Sequence, residues 1–224
     1  MYDPKLVVTA DGSHSLYLDH LKEHYHSHHG AIQESVHVYI NAGLRHLLEK
    51  KPSEINCLEV GFGTGLNALL TLIEAAKNTT KIHYHTLEPY PLALKLVNSL
   101  NYLTQLQATD FSPQFETMHQ SLINEEQRLH QNFLFKKTNE KVENIRFIKN
   151  YDLVYFDAFA PSVQPELWAI SVFEKIFAAL SNDACLVTYC AKGAVKRNLK
   201  QVGFAIESLP GPKGKREIIR AVKK

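Results

Sequence analysis

Residues 58–67 read Leu-Glu-Val-Gly-Phe-Gly-Thr-Gly-Leu-Asn, an apolar stretch joined to a helical one through three glycines. Glycine has no Cβ and tolerates positive φ, so such a loop lets backbone come close to a ligand. The spacing narrows the ligand. A dinucleotide fingerprint needs G-x-G-x-x-G, with the helix N-terminus facing a pyrophosphate. Here the glycines fall at Gly61, Gly63 and Gly65, and Leu66 takes the last place of that pattern. A phosphate-cradling loop of the Gly-Lys-Ser/Thr kind is excluded too, since no such triplet follows. Glu59, at the end of the preceding strand, would repel a pyrophosphate but suits a cationic ligand. Two further acids, Glu88 and Asp157, also close apolar stretches.

These residues need a scaffold, and the alternation of patterns supplies one. Strands are expected at 55–60, 81–87, 133–137, 151–156 and 185–189. Helices are expected at 66–77, 91–101, 165–180 and 193–201, and residues 104–131 read as polar and helical. Alternating strands and helices predict an α/β fold, a mainly parallel sheet with helices on both faces. Residues 204–207 and 217–222 are joined by a turn-rich Pro210-Gly211-Pro212-Lys213-Gly214, which predicts an antiparallel hairpin at one edge. An N-terminal extension over 1–50 holds a hairpin, turned at Asp11-Gly12, and a helix from about 31 to 50 stopped by Pro52. The expectation is one domain over 1–224, with a Rossmann-like core at 51–224. In open sheets of this kind ligands bind at the carboxyl ends of strands, where Glu59, Glu88 and Asp157 fall.

Composition bounds the rest. A chain of 224 residues with 45% apolar content can bury one good core, and a net charge of +2 is not diagnostic. Cys57, Cys185 and Cys190 make an odd set with no C-x-x-C pair, which argues for a reducing compartment and against a disulfide framework or thiolate zinc site. The first residues lack the pattern of a signal peptide, and no apolar run approaches the ~20 residues that span a bilayer. A cytoplasmic protein with no membrane contact is therefore expected. His14, His20, His24, His26, His28 and His29 crowd the start, and without accompanying cysteines they read as a solvated or nucleic-acid-facing surface rather than a metal site. Lys192, Lys196, Arg197, Lys200, Lys213, Lys215, Arg216 and Arg220 concentrate positive charge late in the chain, as a surface for a phosphate backbone would.

An acid followed by G-x-G-x-G, on a parallel sheet with a terminal hairpin, resembles the class I S-adenosylmethionine-dependent methyltransferases. The resemblance implies that Glu59, Gly61, Phe62, Gly63, Thr64, Gly65 and Asn67 hold this cofactor. Glu88 would accept both ribose hydroxyls, with Pro89 beside it, and Glu140 or the competing Asn139 would hold the adenine amino group. Asp157 would face both the sulfonium and the incoming acceptor. Methyl transfer is an in-line displacement, so alignment matters most. An alkylamine acceptor, with a pKa of ~10 by analogy with lysine, must shed a proton to expose its lone pair. Asp157 would orient that amine and stabilise the cationic transition state; whether it also takes the proton is left open by the sequence.

More narrowly, the chain resembles the MnmC-like methyltransferase domain that completes 5-methylaminomethyl-2-thiouridine at the tRNA wobble position. Thr9-Ala10-Asp11-Gly12-Ser13, Tyr25-His26-Ser27, Glu34-Ser35-Val36-His37-Val38 and the glycine loop carry the likeness, with Asp157-Ala158-Phe159-Ala160-Pro161, Pro165-Glu166-Leu167-Trp168 and Lys215-Arg216-Glu217. It implies methylation of an aminomethyl-uridine nitrogen on tRNA. Phe159 and Pro161 would shape the acceptor pocket, and Lys192, Lys196, Arg197, Lys215 and Arg216 would contact tRNA. Members are often fused to a flavin-dependent oxidase. No second glycine fingerprint occurs here, so the oxidase half is expected to be missing, and a separate oxidase or other wobble-uridine enzyme is the partner implied. A methyltransferase for small or protein amines, and a non-catalytic tRNA-binding module, are the competing readings.

Overall fold

The computed structural model describes residues 4–147 and 150–224. The chain opens with a small antiparallel sheet of β1 (Lys5–Val8), β2 (His14–Leu18) and β3 (Glu23–His24). Asp11 shapes the β1–β2 turn, accepting from the Ser13 N–H at 3.0 Å and the Thr9 hydroxyl at 2.8 Å. Its second oxygen accepts from the Gln33 N–H at 3.0 Å, which ties the turn to the start of the first helix. That helix, α1 (residues 31–48), is α-helical at Ala31–Ser35 and His46–Leu48 and wound as a π-helix over Val36–Arg45.

Strands and helices then alternate: β4 (Glu54–Val60), α2 (Leu66–Ala76), β5 (Lys81–Leu87), α3 (Leu94–Val97), α4 (Tyr102–Gln105), α5 (Ser112–Gln120), β6 (Glu126–His130) and β7 (Phe133–Thr138). The second half adds β8 (Tyr151–Phe156), a short 3-10 turn at Pro165–Trp168, α6 (Ile170–Ala178), β9 (Leu180–Thr188), α7 (Gly193–Val202), β10 (Ala205–Pro210) and β11 (Glu217–Val222). The main sheet runs β10-β11-β9-β8-β4-β5-β7-β6. Its five central strands are parallel, while β6, β10 and β11 pair antiparallel to their neighbours. The expected α/β fold with its C-terminal hairpin is thus present.

Two expectations need correction. Residues 91–101 do not form one helix, because Ala93 is extended (ψ 136°) and helical winding is confined to α3. The stretch 104–131 is not helical throughout: α5 ends at Gln120, and Glu126–His130 joins the sheet as an edge strand on β7. An edge strand bordered by solvent needs no alternation of apolar residues, so its polar sequence hid it.

Side chains alternate across the sheet with period two. On β8, Leu153 and Tyr155 face the core under α1 and α2, while Val154 and Phe156 face the core shared with α6 and α7. Gly43 lets α1 seat closely on the first face, since a Cβ there would lie 3.0 Å from Val187 and 3.2 Å from Leu153. From β4 the chain proceeds outward to β5 and β7, but β8 returns to the other side of β4 and continues to β9. Strand order therefore reverses between β4 and β8, opening a crevice at their carboxyl ends.

Candidate functional site

The glycine loop leaves β4 at this reversal. The Gly61 N–H donates to Leu87 O at 3.1 Å and the Asp157 N–H donates to Val60 O at 3.0 Å, so the loops after three strands are stitched together. Gly61 has φ 93°, and a Cβ there would lie 2.7 Å from the Asp157 carbonyl oxygen. Backbone conformation and crowding both demand glycine at this position. Gly65 (φ 75°) then starts α2.

A cavity of about 1260 Å³ opens over these loops. Of the residues picked out by sequence, Gly61, Phe62, Gly63, Thr64, Asn67, Glu88, Pro89, Glu140, Asp157, Phe159 and Lys215 line it. Gly65 and Pro161 do not, and neither do Lys192, Lys196, Arg197 and Arg216. Asn139, which competed with Glu140, does not reach it. Seven carboxylate side chains line the cavity against two lysines, so its field favours a cationic ligand.

Glu59 is a correction. It has no exposed surface and lies behind the cavity wall instead of in it. Its Oε2 accepts from the Thr86 hydroxyl at 2.7 Å, while among the described residues Oε1 makes no well-formed hydrogen bond, with Tyr84 and Asn67 its polar neighbours. Burial pushes its carboxyl up to about 8, against the opposing pull of Thr86, and the nearby Asp157 adds to the rise. A carboxyl of that kind is mostly uncharged at neutral pH and offers a cation little.

Glu88, at 8% exposure, sits at the end of β5 with both oxygens held by backbone. Oε2 accepts from the Gly63 N–H and Oε1 from the Tyr90 N–H, each at 2.8 Å. Each oxygen keeps a second lone pair. Burial raises its carboxyl, and the Gly63 and Tyr90 amides and the Lys137 ammonium oppose this.

Asp157 is held by side chains. The Tyr39 hydroxyl donates to Oδ1 at 2.6 Å, and Asn67 Nδ2 donates to Oδ2 at 2.8 Å. Burial raises its carboxyl to about 6, while Tyr39 and Asn67 favour the charged form. Its loop is pinned from behind, where Trp168 Nε1–H donates to Phe159 O at 2.8 Å and the Tyr189 hydroxyl to Ala158 O at 2.9 Å.

The opposite wall comes from the N-terminal segment, to which sequence reasoning assigned a hairpin, a helix, a histidine surface and part of the family likeness, but no role in the site. Tyr25 packs edge-on against Phe159, with ring centroids 5.1 Å apart, and covers Gly63. Glu34 of α1 is buried, accepts from the Ser27 N–H at 2.8 Å and forms an ion pair with Lys215 from the β10–β11 turn. The Lys215 ammonium lies 3.9 Å from the centre of the Tyr189 ring. His20, His24, His26, His28 and His29 also line the cavity. Burial pushes His26 down to about 4, leaving it neutral beside the Ser15 hydroxyl at 3.3 Å. Among the described residues no histidine, cysteine or carboxylate group forms a metal-binding cluster.

Outside the cavity, Lys192, Arg197, Lys200, Lys213 and Arg216 are exposed. Lys196 is engaged by Glu217 at 2.7 Å and the Ser208 hydroxyl at 3.0 Å, and Arg220 by Glu207 at 2.6 Å. Those two are committed within the fold. Among the described residues no helix is long and apolar enough to cross a membrane.

Comparison with known proteins adds a family. The S-adenosyl-L-methionine-dependent methyltransferase family matches residues 98–224, a stretch that begins beyond the glycine loop and includes Asp157 and Lys215. A tRNA 5-methylaminomethyl-2-thiouridine biosynthesis bifunctional protein MnmC from Marinomonas is 30% identical over 232 residues, covering 96% of this chain and 33% of that protein. One of the same name from Pseudoalteromonas atlantica is 30% identical over 181 residues, covering 73% of this chain and 25% of its own length. The chain therefore spans about a third or less of these relatives. In fold it is similar to MnmC2 from Aquifex aeolicus, with a TM-score of 0.81 at 23% identity over 100% of this chain and 71% of the other. Spermidine synthase from Thermotoga maritima has a more distant likeness, with a TM-score of 0.62 at 14% identity over 100% of this chain and 70% of the other.

Proposed function

Because the chain belongs to the S-adenosyl-L-methionine-dependent methyltransferases, we propose that it methylates the aminomethyl nitrogen of wobble 5-aminomethyl-(2-thio)uridine in tRNA. The observation that carries the reading is Asp157, a carboxylate presented to an acid-lined cavity between the glycine loop and the Tyr25, Phe159 and Tyr189 rings. The MnmC relatives, named for 5-methylaminomethyl-2-thiouridine biosynthesis in tRNA, support the choice of acceptor.

The site suits the cofactor on its own chemistry. Its wall is anionic, its glycine loop admits close backbone approach, and Glu88 retains lone pairs for a diol. In this proposal Gly61, Phe62, Gly63, Thr64 and Asn67 cradle the cofactor, Glu88 and Pro89 flank its ribose, and Glu140 meets its adenine. Glu59 and Gly65 support the loop from behind. When bound, this cofactor supplies a methyl carbon on a cationic sulfur, which an amine lone pair takes by in-line displacement.

The chain's residues supply the remainder. A carboxyl raised to about 6 is largely ionised at neutral pH, so Asp157 can orient an amine by accepting its N–H and stabilise the positive charge that develops on the nitrogen. The Tyr25, Phe159 and Tyr189 rings offer flat surfaces for an unstacked base, as enzymes acting on a nucleobase require. Exposed Lys192, Arg197 and Arg216 would meet phosphates outside the acidic cavity. An enzyme that uncovers the primary amine, an oxidase on another chain or elsewhere on a longer one, is the partner implied. A cytoplasmic setting agrees with three free buried cysteines.

Mass spectrometry of wobble nucleosides, from hypomodified tRNA incubated with protein and cofactor, tests the proposal. The expected result is one methyl added to the aminomethyl uridine. Transfer to small amines or protein but not to tRNA overturns the acceptor. Tight tRNA binding without transfer makes the chain a binding module.

A further inference from the structure

The Asp157 carboxylate owes its orientation to a residue that the sequence motifs never touched. Tyr39 lies 118 positions away in the chain, is 1% exposed, and its hydroxyl donates to Asp157 Oδ1 at 2.6 Å. It sits inside the π-helical stretch of α1, with its ring 5.2 Å from that of Tyr155 on β8. A stretch of π-helix inside a helix is uncommon and frequently accompanies functional sites. Here the stretch carries a phenol across the sheet face to the end of β8, where the Asp157 carboxylate faces the cavity.

We propose that Tyr39 is a positioning residue of the acceptor site, its hydroxyl fixing the Asp157 carboxylate in the rotamer that turns its free lone pairs to the acceptor nitrogen. The inference rests on the methyltransferase reading and adds to it a residue and a measurable consequence. Asn67 secures the other oxygen, so with both bonds made the carboxylate cannot rotate. Burial keeps the Tyr39 hydroxyl well above the ordinary tyrosine range, so it stays protonated and donates to the ionised carboxylate.

The hydroxyl also stabilises charge. The groups that act on Asp157 are Tyr39 and Glu34 from α1, Asn67 from α2, Lys215 from the β10–β11 turn, Tyr189 after β9 and Glu59 on β4. Burial and Glu34 favour the neutral acid, while Tyr39, Asn67 and Lys215 favour the carboxylate; Glu59 is itself protonated over the range in which Asp157 titrates. Removing only the hydroxyl deletes one of three stabilising partners and leaves the ring in place. A hydrogen bond to a charged group stabilises it enough to move a titration midpoint by ~1 unit or more.

The test compares wild type with Tyr39→Phe and, as control, Tyr155→Phe. The control removes a hydroxyl from the same aromatic pair, but one that meets Thr71 at 3.3 Å and not Asp157. Carbon-13 NMR titration of the Asp157 carboxyl, identified by its loss in Asp157→Asn, gives the midpoint without any acceptor. In Tyr39→Phe the midpoint should rise by ~1 unit while Tyr155→Phe stays at the wild-type value. The acid limb of kcat for methyl transfer to tRNA should move with it, and calorimetric affinity for S-adenosylhomocysteine should stay within about twofold, as expected for a residue without ligand contact. An unmoved midpoint in folded Tyr39→Phe overturns the proposal, as does an equal rise in Tyr155→Phe. Should wild type transfer nothing to tRNA, the acceptor reading fails while the NMR midpoint still decides Tyr39.

Discussion

Glu88 and Asp157 are both carboxylates at the carboxyl end of a parallel strand, on opposite sides of the same cavity, yet they are held in opposite ways. Glu88 is gripped by two backbone amides, from Gly63 and Tyr90, both within about 25 residues of it in sequence. Asp157 is gripped by two side chains, Tyr39 and Asn67, 118 and 90 residues away. The proposed cofactor side is thus built from main chain, and most side-chain changes near it leave its donors in place. On the proposed acceptor side each donor is a side chain that one substitution removes. The first arrangement suits a ligand common to a large family. The second lets the acceptor's environment be adjusted residue by residue.

The contrast is broken most severely at Asp157. Asp157→Ala should lower methyl transfer by ~10²-fold or more, the usual scale for a group that orients a nucleophile and stabilises its developing charge. Calorimetry with S-adenosylhomocysteine should show a much smaller change, and turnover near wild type would remove Asp157 from the mechanism. Gly61→Ala attacks the main-chain side instead. A Cβ placed 2.7 Å from the Asp157 carbonyl, at φ 93°, should cost ~1–3 kcal/mol of stability in urea unfolding and weaken cofactor binding as well. Glu88→Gln is milder. A glutamine has one acceptor oxygen for two backbone donors, so one N–H loses its partner, and cofactor affinity should fall ~10-fold. Because no acceptor group is touched, kcat at saturating cofactor should change far less; an equal loss in kcat would erase the distinction between the sides.

The same division explains what could be read in the sequence. The strand, glycine loop and helix at 54–76 follow from local patterning and from φ values that glycine satisfies, so they were legible. So was Asp157, which ends a run buried on both faces, Leu153-Val154-Tyr155-Phe156. Tyr39 was not, and Tyr25 and Glu34 stood in the family motifs without a place at the cavity, because their approach to it depends on how α1 and the N-terminal sheet dock. One signal was present. A tyrosine hydroxyl among Val36, Ile40 and Leu44 must find a partner once buried, and the partner lies across the sheet. Glu59 misled for the converse reason: its place at the strand end was read correctly, but the pleat turns its side chain under the loop.

The smallest expected effect concerns that third acid and separates it from the other two. Glu59 holds its proton to about 8 in the folded protein, while an unfolded glutamate loses it near 4.5. Between those values the folded state binds more protons than the unfolded one, so stability falls as pH rises through the window. Glu59→Gln replaces the acid by an amide whose oxygen can still accept from Thr86. Its NH₂ can donate toward Asn67 Oδ1 and the Tyr84 hydroxyl, two neighbouring buried atoms that lack partners. The variant should therefore match wild type near pH 4.5 and exceed it in urea unfolding near pH 8, with cofactor affinity and kcat close to wild type. Asp157, raised to about 6, contributes a slope of the same sign to both proteins and cancels in the difference. A parallel pair of stability curves would mean that Glu59 is ionised in the fold. The anionic grip on the ligand would then extend behind the wall, and the contrast drawn between a main-chain side and a side-chain side would lose its sharpest edge.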